Sequence, residues 1–497
     1  MTRLIKTELF HFKNVEHGVI EHMNYSSVKN HAKIENSDII GIYGQNGSGK
    51  TAVVEALDIV KNVILGNRLS FSNYGGLLRD NGSSKICNTF FIDLNEGDSD
   101  KKYWVEYEVT LKPKYSDEKQ SIDFAEEKLS ISLLGKKWRQ PKYVVFSNPY
   151  YDVDLDVLEN EQIASLDNSN ITKFSNVYVD KLAIACQRDN VSFFFNSNTT
   201  RYLDKNIEKK DEGVFAILEA INELKKFACG YFHVVKVCQL SEINGNYVLP
   251  VNIHKEGEGM VEQGCLPLLT SNSIKVLPKK IFDELSSVIP TINIALEALV
   301  PNLKIAIDNV EEIVTSKGTR VSFSVYSVRG DSKVLIKYES EGIKRIISLV
   351  HYLISVYNKP EVCLVVDELD SGVFEFLLGE LIGVLFQSAK GQLIFTSHNL
   401  RVLEKMSSKN IICSTTNPNN RYIRLKGIAQ NNNVRDFYLR AVLLGGQEEF
   451  LYNTMDLSAI ESAFTRASKG AYSDKSQIIV ENLKDFIEKI NAEYEGE

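Results

Sequence analysis

Short apolar runs followed by helical stretches recur along the chain. Asp38-Ile39-Ile40-Gly41-Ile42-Tyr43 reads as a buried strand, and Ala52–Val60 as the helix behind it. Residues 88–110 and 127–134 alternate apolar and polar positions with aromatics, the mark of antiparallel strands. Residues 204–228 read as one amphipathic helix built on Ile217, Leu218, Ile221 and Leu224. Residues 278–299 read as another (Ile281, Leu285, Ile289, Leu296), with a break expected at Pro290. Strands are expected around 231–253. Val321, Phe323, Val325, Val328, Val334, Ile336 and Tyr338 predict a hairpin turning at Arg329-Gly330-Asp331. An amphipathic helix opens at Tyr338-Glu339-Ser340-Glu341-Gly342 and runs to about Tyr357. Val362–Val366 is a continuous β-branched run, as in a strand buried on both faces of a parallel sheet. A helix over Val373–Ser388 and a strand over Gln392–Phe395 follow. The tail, 456–490, shows two amphipathic helices (Ile460, Phe464; then Ile478, Ile479, Leu483, Phe486, Ile487).

Composition changes this picture little. The chain has 497 residues, a net charge of −8 and an ordinary apolar fraction, so it is not a generic polyanion binder. Its small basic clusters (Lys205, Lys209, Lys210; Lys275, Lys279, Lys280) read as solvated faces. The seven cysteines are dispersed without a C-x-x-C, which fits free thiols in a reducing cytosol. No apolar run is long enough to span a bilayer, and Met1-Thr2-Arg3-Leu4-Ile5-Lys6 lacks the apolar core of a signal peptide. A cytoplasmic protein without membrane partners is expected.

The chemistry concentrates at three places. Gly44-Gln45-Asn46-Gly47-Ser48-Gly49-Lys50-Thr51 is a complete G-x-x-x-x-G-K-[ST] phosphate loop between the predicted strand and helix. Its glycines let main-chain N–H groups converge on phosphate at the positive end of the helix. Lys50 is expected to reach the β/γ-phosphates of ATP, and Thr51 to bind Mg²⁺. Far downstream, the 362–366 strand ends in Asp367-Glu368. This is a Walker B arrangement, with Asp367 on Mg²⁺ through water and Glu368 polarising the attacking water. The next strand ends in Thr396-Ser397-His398-Asn399, which places His398 to sense the γ-phosphate. Ser340 and Gly342 open their helix as an anion-compatible N-terminus, a position Ser340 also suits as an ordinary N-cap.

Phosphate loop, Ser-x-Gly segment, Asp-Glu, the following Leu369-Asp370 and His398 together resemble an ABC-type ATPase head. Leu4–Val15 looks like the opening strand of RecF, SMC and OLD-family proteins. Glu339-Ser340-Glu341-Gly342-Ile343-Lys344-Arg345 and the later Asn432–Leu439 and Gly445-Gly446-Gln447-Glu448 are similar to OLD-like relatives. The whole resembles the stand-alone OLD-like ATPases of bacterial anti-phage systems such as PARIS, Septu and some retrons, over about 1–110 and 300–445. Lys344 and Arg345 are unusual against ABC transporters, and the Leu-Ser-Gly-Gly-Gln core of transporters is missing.

The resemblance implies an α/β ABC-type head: a P-loop, a mixed sheet with flanking helices and an antiparallel β lobe. The expected division is 1–140 for the N-terminal lobe, 141–303 for an inserted, mainly helical and irregular domain, 304–430 for the C-terminal lobe, and 431–497 for a helical end region. The insertion is too short and too interrupted for an SMC coiled coil. The resemblance also implies ATP hydrolysis in sites shared between subunits, with Ser340 and Gly342 acting on a second copy's nucleotide. At least a homodimer follows. After His398 no Asp-x-Asp stands at a strand end, so no nuclease centre of the OLD type is expected. Asp152-Val153-Asp154-Leu155-Asp156 reads as a solvated acidic turn. Three functions compete: a defence sensor or scaffold holding a separately encoded toxic effector such as a nuclease, with a phage protein or DNA as trigger; a RecF/SMC-like repair ATPase clamping DNA; and a transporter subunit. The acidic balance disfavours the second, and the insertion and divergent signature disfavour the third.

Overall fold

The computed structural model describes residues 1–23, 38–79, 82–96, 99–115, 120–134, 142–149, 177–206, 212–236, 248–254, 261–267, 275–316, 318–428, 433–453 and 456–470. The acidic run 152–156 and the second tail helix lie outside them. The chain divides into two compact units, Met1–Leu451 and Tyr452–Glu497.

The centre of the first unit is a six-stranded sheet. Its members are β3 (Asp38–Tyr43), β8 (Phe232–Val235), β15 (Cys363–Val366), β16 (Gln392–Thr396), β17 (Ile411–Ser414) and β18 (Tyr422–Arg424). The spatial order is β18-β17-β3-β16-β15-β8. All neighbours are parallel except β17 and β18. Val362 to Val366 are buried throughout, as strands covered on both faces require. Strand β16 lies between the phosphate-loop strand β3 and the Asp-Glu strand β15, so the end of β16 reaches both.

A second six-stranded sheet is antiparallel. It is built from β1 (Thr2–Phe12), β2 (Val15–Glu21), β4 (Ser84–Glu96), β5 (Ser99–Tyr115), β6 (Gln120–Leu134) and β7 (Lys142–Pro149), in the order β2-β1-β4-β5-β6-β7. The segment Leu4–Val15 is therefore not one strand of the nucleotide-binding sheet. It reverses at Lys13-Asn14, with Phe12 opposite Val15, because Lys13 takes a left-handed conformation (φ 52). Between the two sheets runs α1 (Lys50–Ile64), apolar nearly all round and buried accordingly.

Residues 177–230 form α2 (Val177–Asp189), α3 (Ser197–Asn206) and α4 (Glu212–Gly230). The single helix expected over 204–228 is thus two helices. Ile217, Ile221 and Leu224 are buried in the core shared by α1 and the antiparallel sheet, with Phe193, Phe194 and Phe195. Glu127 of β6, fully buried, accepts hydrogen bonds from Tyr107 Oη (2.5 Å), Ser192 Oγ (2.5 Å) and the Phe193 N–H (2.8 Å). This polar node ties the 190–195 link to the antiparallel sheet.

Strands β9 (Val248–His254) and β10 (Val261–Pro267) pair as a hairpin. A further sheet joins β11 (Lys275–Pro278), β12 (Leu303–Thr315), β13 (Gly318–Arg329) and β14 (Ser332–Leu335). The β13–β14 turn falls at Gly330, as the sequence predicts, with Arg329 opposite Ser332. Helix α5 (Lys279–Leu299) packs on this sheet. It runs unbroken through Pro290, because Leu285, Ile289, Ile292 and Leu296 keep one buried stripe across the proline. Packing along that stripe outweighs the lost hydrogen bond.

On the other face of the central sheet lie α6 (Glu341–Asn358), α7 (Glu375–Ser388) and α8 (Val434–Leu444). In the second unit, α9 (Leu457–Gly470) is capped by Asp456, whose Oδ1 accepts from the Ser458 N–H at 2.9 Å. Among the described residues no helix is long and apolar enough to cross a membrane, and no disulfide joins the described cysteines.

Candidate functional site

The site forms at the carboxyl ends of β3, β16 and β15. Strand β3 delivers the phosphate loop, in which Asn46 and Gly47 are open to solvent while Gly44, Ser48, Gly49 and Lys50 are buried. Glycine is required at two points. A Cβ on Gly44 would stand 2.0 Å from Ser414 Oγ, and Gly49 sits at φ 88 as the N-cap of α1. The start of α1 has no side-chain cap and no acidic residue in its first turn. That leaves a helix N-terminus suited to an external anion.

Lys50 folds over the loop, Nζ donating to the carbonyls of Gly44 (2.9 Å) and Gln45 (3.0 Å). Burial lowers its pKa, against the opposing pull of Asp367, Glu368 and Asp370. The loop is braced from several sides. Ser48 Oγ donates to Gln45 O (2.7 Å) and contacts Ser414 Oγ, Tyr422 Oη donates to Gly49 O (2.7 Å), and Asn14 Nδ2 donates to Gly47 O. Arg421 joins two of these braces, donating to Asn14 O (2.6 Å) and Thr415 O (2.7 Å).

Asp367 is 2% exposed and stands beside the loop. Thr51 Oγ1 donates to its Oδ1 at 3.3 Å and Thr396 Oγ1 at 2.6 Å. Two hydroxyls and a carboxylate make a hard oxygen set, of the kind that holds Mg²⁺ through one or two carboxylates plus water. Glu368 is half-buried with φ 44, a left-handed conformation uncommon for a non-glycine residue and frequent at functional sites. Its N–H donates to Thr396 Oγ1 at 2.7 Å. His398 is exposed, and its N–H donates to Asp370 Oδ2 at 3.0 Å. Desolvation and then the nearby Lys50 lower its pKa, which favours the neutral imidazole.

The structure thus brings the phosphate loop, Thr51, Asp367, Glu368 and His398 together. It sets Ser340 and Gly342 at the start of α6, where Gly342 lies against the turn that follows Asp367-Glu368. Ser340 is an exposed N-cap, its Oγ accepting from the Ile343 N–H at 3.4 Å. Gly342 packs against the 370–372 turn so closely that a Cβ would meet Gly372 O at 2.1 Å. Their contacts in this chain are with α6 and that turn.

Sequence reasoning missed Thr396, Ser414, Tyr422, Asn14 and Arg421. Thr396 carried the only signal, as the strand-end residue two before His398. Arg345 stood out only as an unusual charge. In the fold it is 2% exposed and donates from Nη2 to Asp367 O (2.8 Å) and Glu368 O (3.1 Å).

A family model described as "AAA ATPase domain" matches residues 20–403. No curated protein matches the chain. Among solved structures, an Smc head bound to the C-winged helix domain of ScpA is 13% identical, covering 85% of this chain and 97% of its own, with a TM-score of 0.38. The Smc head domain of Pyrococcus furiosus with an extended coiled coil, bound to the C-terminal domain of ScpA, is 15% identical, covering 86% and 96%, with a TM-score of 0.37. The SMC head domain of Thermotoga maritima is 12% identical, covering 86% and 100%, with a TM-score of 0.32.

Proposed function

The chain belongs to the AAA ATPase domain family, and from that premise we propose that it binds and hydrolyses ATP in sites completed by a second copy of itself. The observation that carries the reading is the convergence of Lys50, Thr51, Asp367, Thr396 and Glu368 at the carboxyl ends of three adjacent strands. The main-chain N–H groups of 44–51 and Lys50 hold the phosphates. Thr51 and Asp367 would hold Mg²⁺, which would supply positive charge against that developing on the phosphates. Glu368 orients the attacking water and accepts its proton, and neutral His398 donates a hydrogen bond toward the γ-phosphate. Ser340 and Gly342 present the N-terminus of α6 to the nucleotide of the other subunit. In this reading ATP joins two heads and hydrolysis releases them, so a homodimer is the minimum assembly.

The motif resemblance supports a finer reading: a sensor or scaffold in bacterial anti-phage defence that restrains a separately encoded effector, a nuclease by preference. The test is a pull-down of Glu368→Gln with ATP, expressed with its native gene neighbours, followed by mass spectrometry. A stoichiometric partner bearing a toxic active site supports the scaffold. Recovery of DNA without a protein partner moves the assignment to a RecF/SMC-like DNA clamp.

A further inference from the structure

We propose that Arg345 is a positioning residue for hydrolysis, holding the Asp367-Glu368 turn in its working shape from the first turn of the helix that carries Ser340 and Gly342; this rests on the ATPase reading above. Burying a guanidinium is costly unless its hydrogen bonds are well made. Arg345 is 2% exposed, and the same nitrogen reaches the two successive carbonyls of Asp367 and Glu368.

Those carbonyls flank the torsion that needs holding. Glu368 has φ 44, and such a conformation persists when its surroundings over-determine it. From one side, Thr396 takes the Glu368 N–H on Oγ1 (2.7 Å) and the Leu369 N–H on its carbonyl (3.0 Å). From the other side, Arg345 takes the two carbonyl oxygens. Thr396 belongs to the sheet, whereas Arg345 belongs to α6. A second strut joins the same parts, where Gly342 packs against Gly372, with a Gly372 Cβ position 3.3 Å from Gly342 N. The N-terminus of α6 is thereby fastened at two points to the segment 367–372. Whatever seats on Ser340 and Gly342 pulls directly on the backbone that aims Glu368. A lysine keeps the charge and offers one donor nitrogen on a differently shaped side chain, so it serves this role in part.

The experiment compares full-length wild type, Arg345→Gln, Arg345→Lys and Glu368→Gln, plus the double variant R345Q/E368Q. Ser355→Ala serves as a control, since Ser355 is buried on the same helix and its hydroxyl donates to His351 O (3.0 Å), away from the Asp-Glu turn. Turnover, KM, Mg²⁺-ATP affinity and melting temperature are measured. Arg345→Gln should lower kcat at least about tenfold while ATP affinity stays within about threefold, and Arg345→Lys should fall between it and wild type. In the Glu368→Gln background the same change should cost less than about twofold, because the two residues act as a unit. Should Arg345→Gln not fold, Arg345→Lys carries the same comparison. Turnover of Arg345→Gln within about twofold of wild type, affinity falling in step with kcat, or losses that multiply in the double variant would each overturn the proposal and leave the ATPase reading standing. A wild type that binds ATP without any turnover would overturn both.

Discussion

The two ends of the central sheet bury charge in different ways. At the carboxyl ends, Lys50, Asp367 and Arg345 are buried at the phosphate loop and the Asp-Glu turn, where Gly47, Gly49 and Glu368 adopt left-handed conformations. At the amino ends, Arg3 is fully buried beside Asp38 (3.6 Å) and donates to Lys390 O (2.6 Å). Beside it Gln392 closes a two-bond clamp on Leu4, Oε1 to its N–H and Nε2 to its carbonyl, both at 2.9 Å. No left-handed residue stands among these five. The first end combines strain, an uncapped helix and hard oxygens, which suits a ligand. The second sews the antiparallel sheet to the central one through Arg3 and Gln392, with Arg3 Nε and Nη1 held by burial and the Asp38 charge rather than by hydrogen bonds. Burial of charge alone therefore does not mark a site. What marks it is conformational strain together with an uncapped helix N-terminus and a hard oxygen set.

Substitutions at the two ends should separate cleanly. Lys50→Ala should abolish measurable ATP binding at millimolar nucleotide while leaving the melting temperature near wild type; retained tight binding would remove the phosphate-loop assignment. Glu368→Gln should bind ATP but lose about 10²- to 10³-fold in kcat, and it should accumulate as an ATP-bound oligomer on size exclusion. Gln392→Ala should do the reverse. It strands two buried main-chain groups of Leu4, costing about 2–3 kcal/mol in denaturant unfolding, with ATP affinity unchanged. A stable Gln392→Ala with impaired turnover would erase the distinction.

The smallest effect expected is a pH dependence from the stitched region. His22 is buried on Thr7, its Nε2 2.8 Å from Thr7 Oγ1, and burial lowers its pKa to about 3. Unfolding restores the ordinary value near 6.5, so the unfolded chain binds the extra proton between these limits. Stability from this group is complete above about pH 6.5 and declines as pH falls, by about 2 kcal/mol at pH 5. Denaturant midpoints measured from pH 7 to 5 for wild type and His22→Asn should converge toward acid. Parallel curves would show that His22 is not the source.

The parts of this molecule legible in the sequence are the contiguous ones. The phosphate loop, the buried run ending in Asp367-Glu368, the strand before His398 and the signature helix all announce themselves within a short window. The braces of the site do not, because long-range pairing assembles them. Thr51 meets Asp367 across 316 positions, and Ser48 meets Ser414 across 366. Only the placement of β16 between β3 and β15 makes Thr396 a shared partner, and no local pattern encodes that order. Lys13-Asn14 lacked glycine or proline, so the β1–β2 reversal passed unseen. Pro290 misled in the other direction, since tertiary packing carried α5 through it.

The central claim is that each nucleotide site takes its phosphate loop from one subunit and Ser340 with Gly342 from another. Mixing two inactive full-length variants tests it most directly. Lys50→Ala loses the loop. Ser340→Asp keeps a good N-cap for α6 but sets a negative charge against phosphate. In an equimolar mixture, half the dimers are hybrids with one intact composite site, so turnover should return to about a quarter of wild type. If hybrids form, as native mass spectrometry can verify, and the mixture remains as inactive as its components, the shared-site account is wrong.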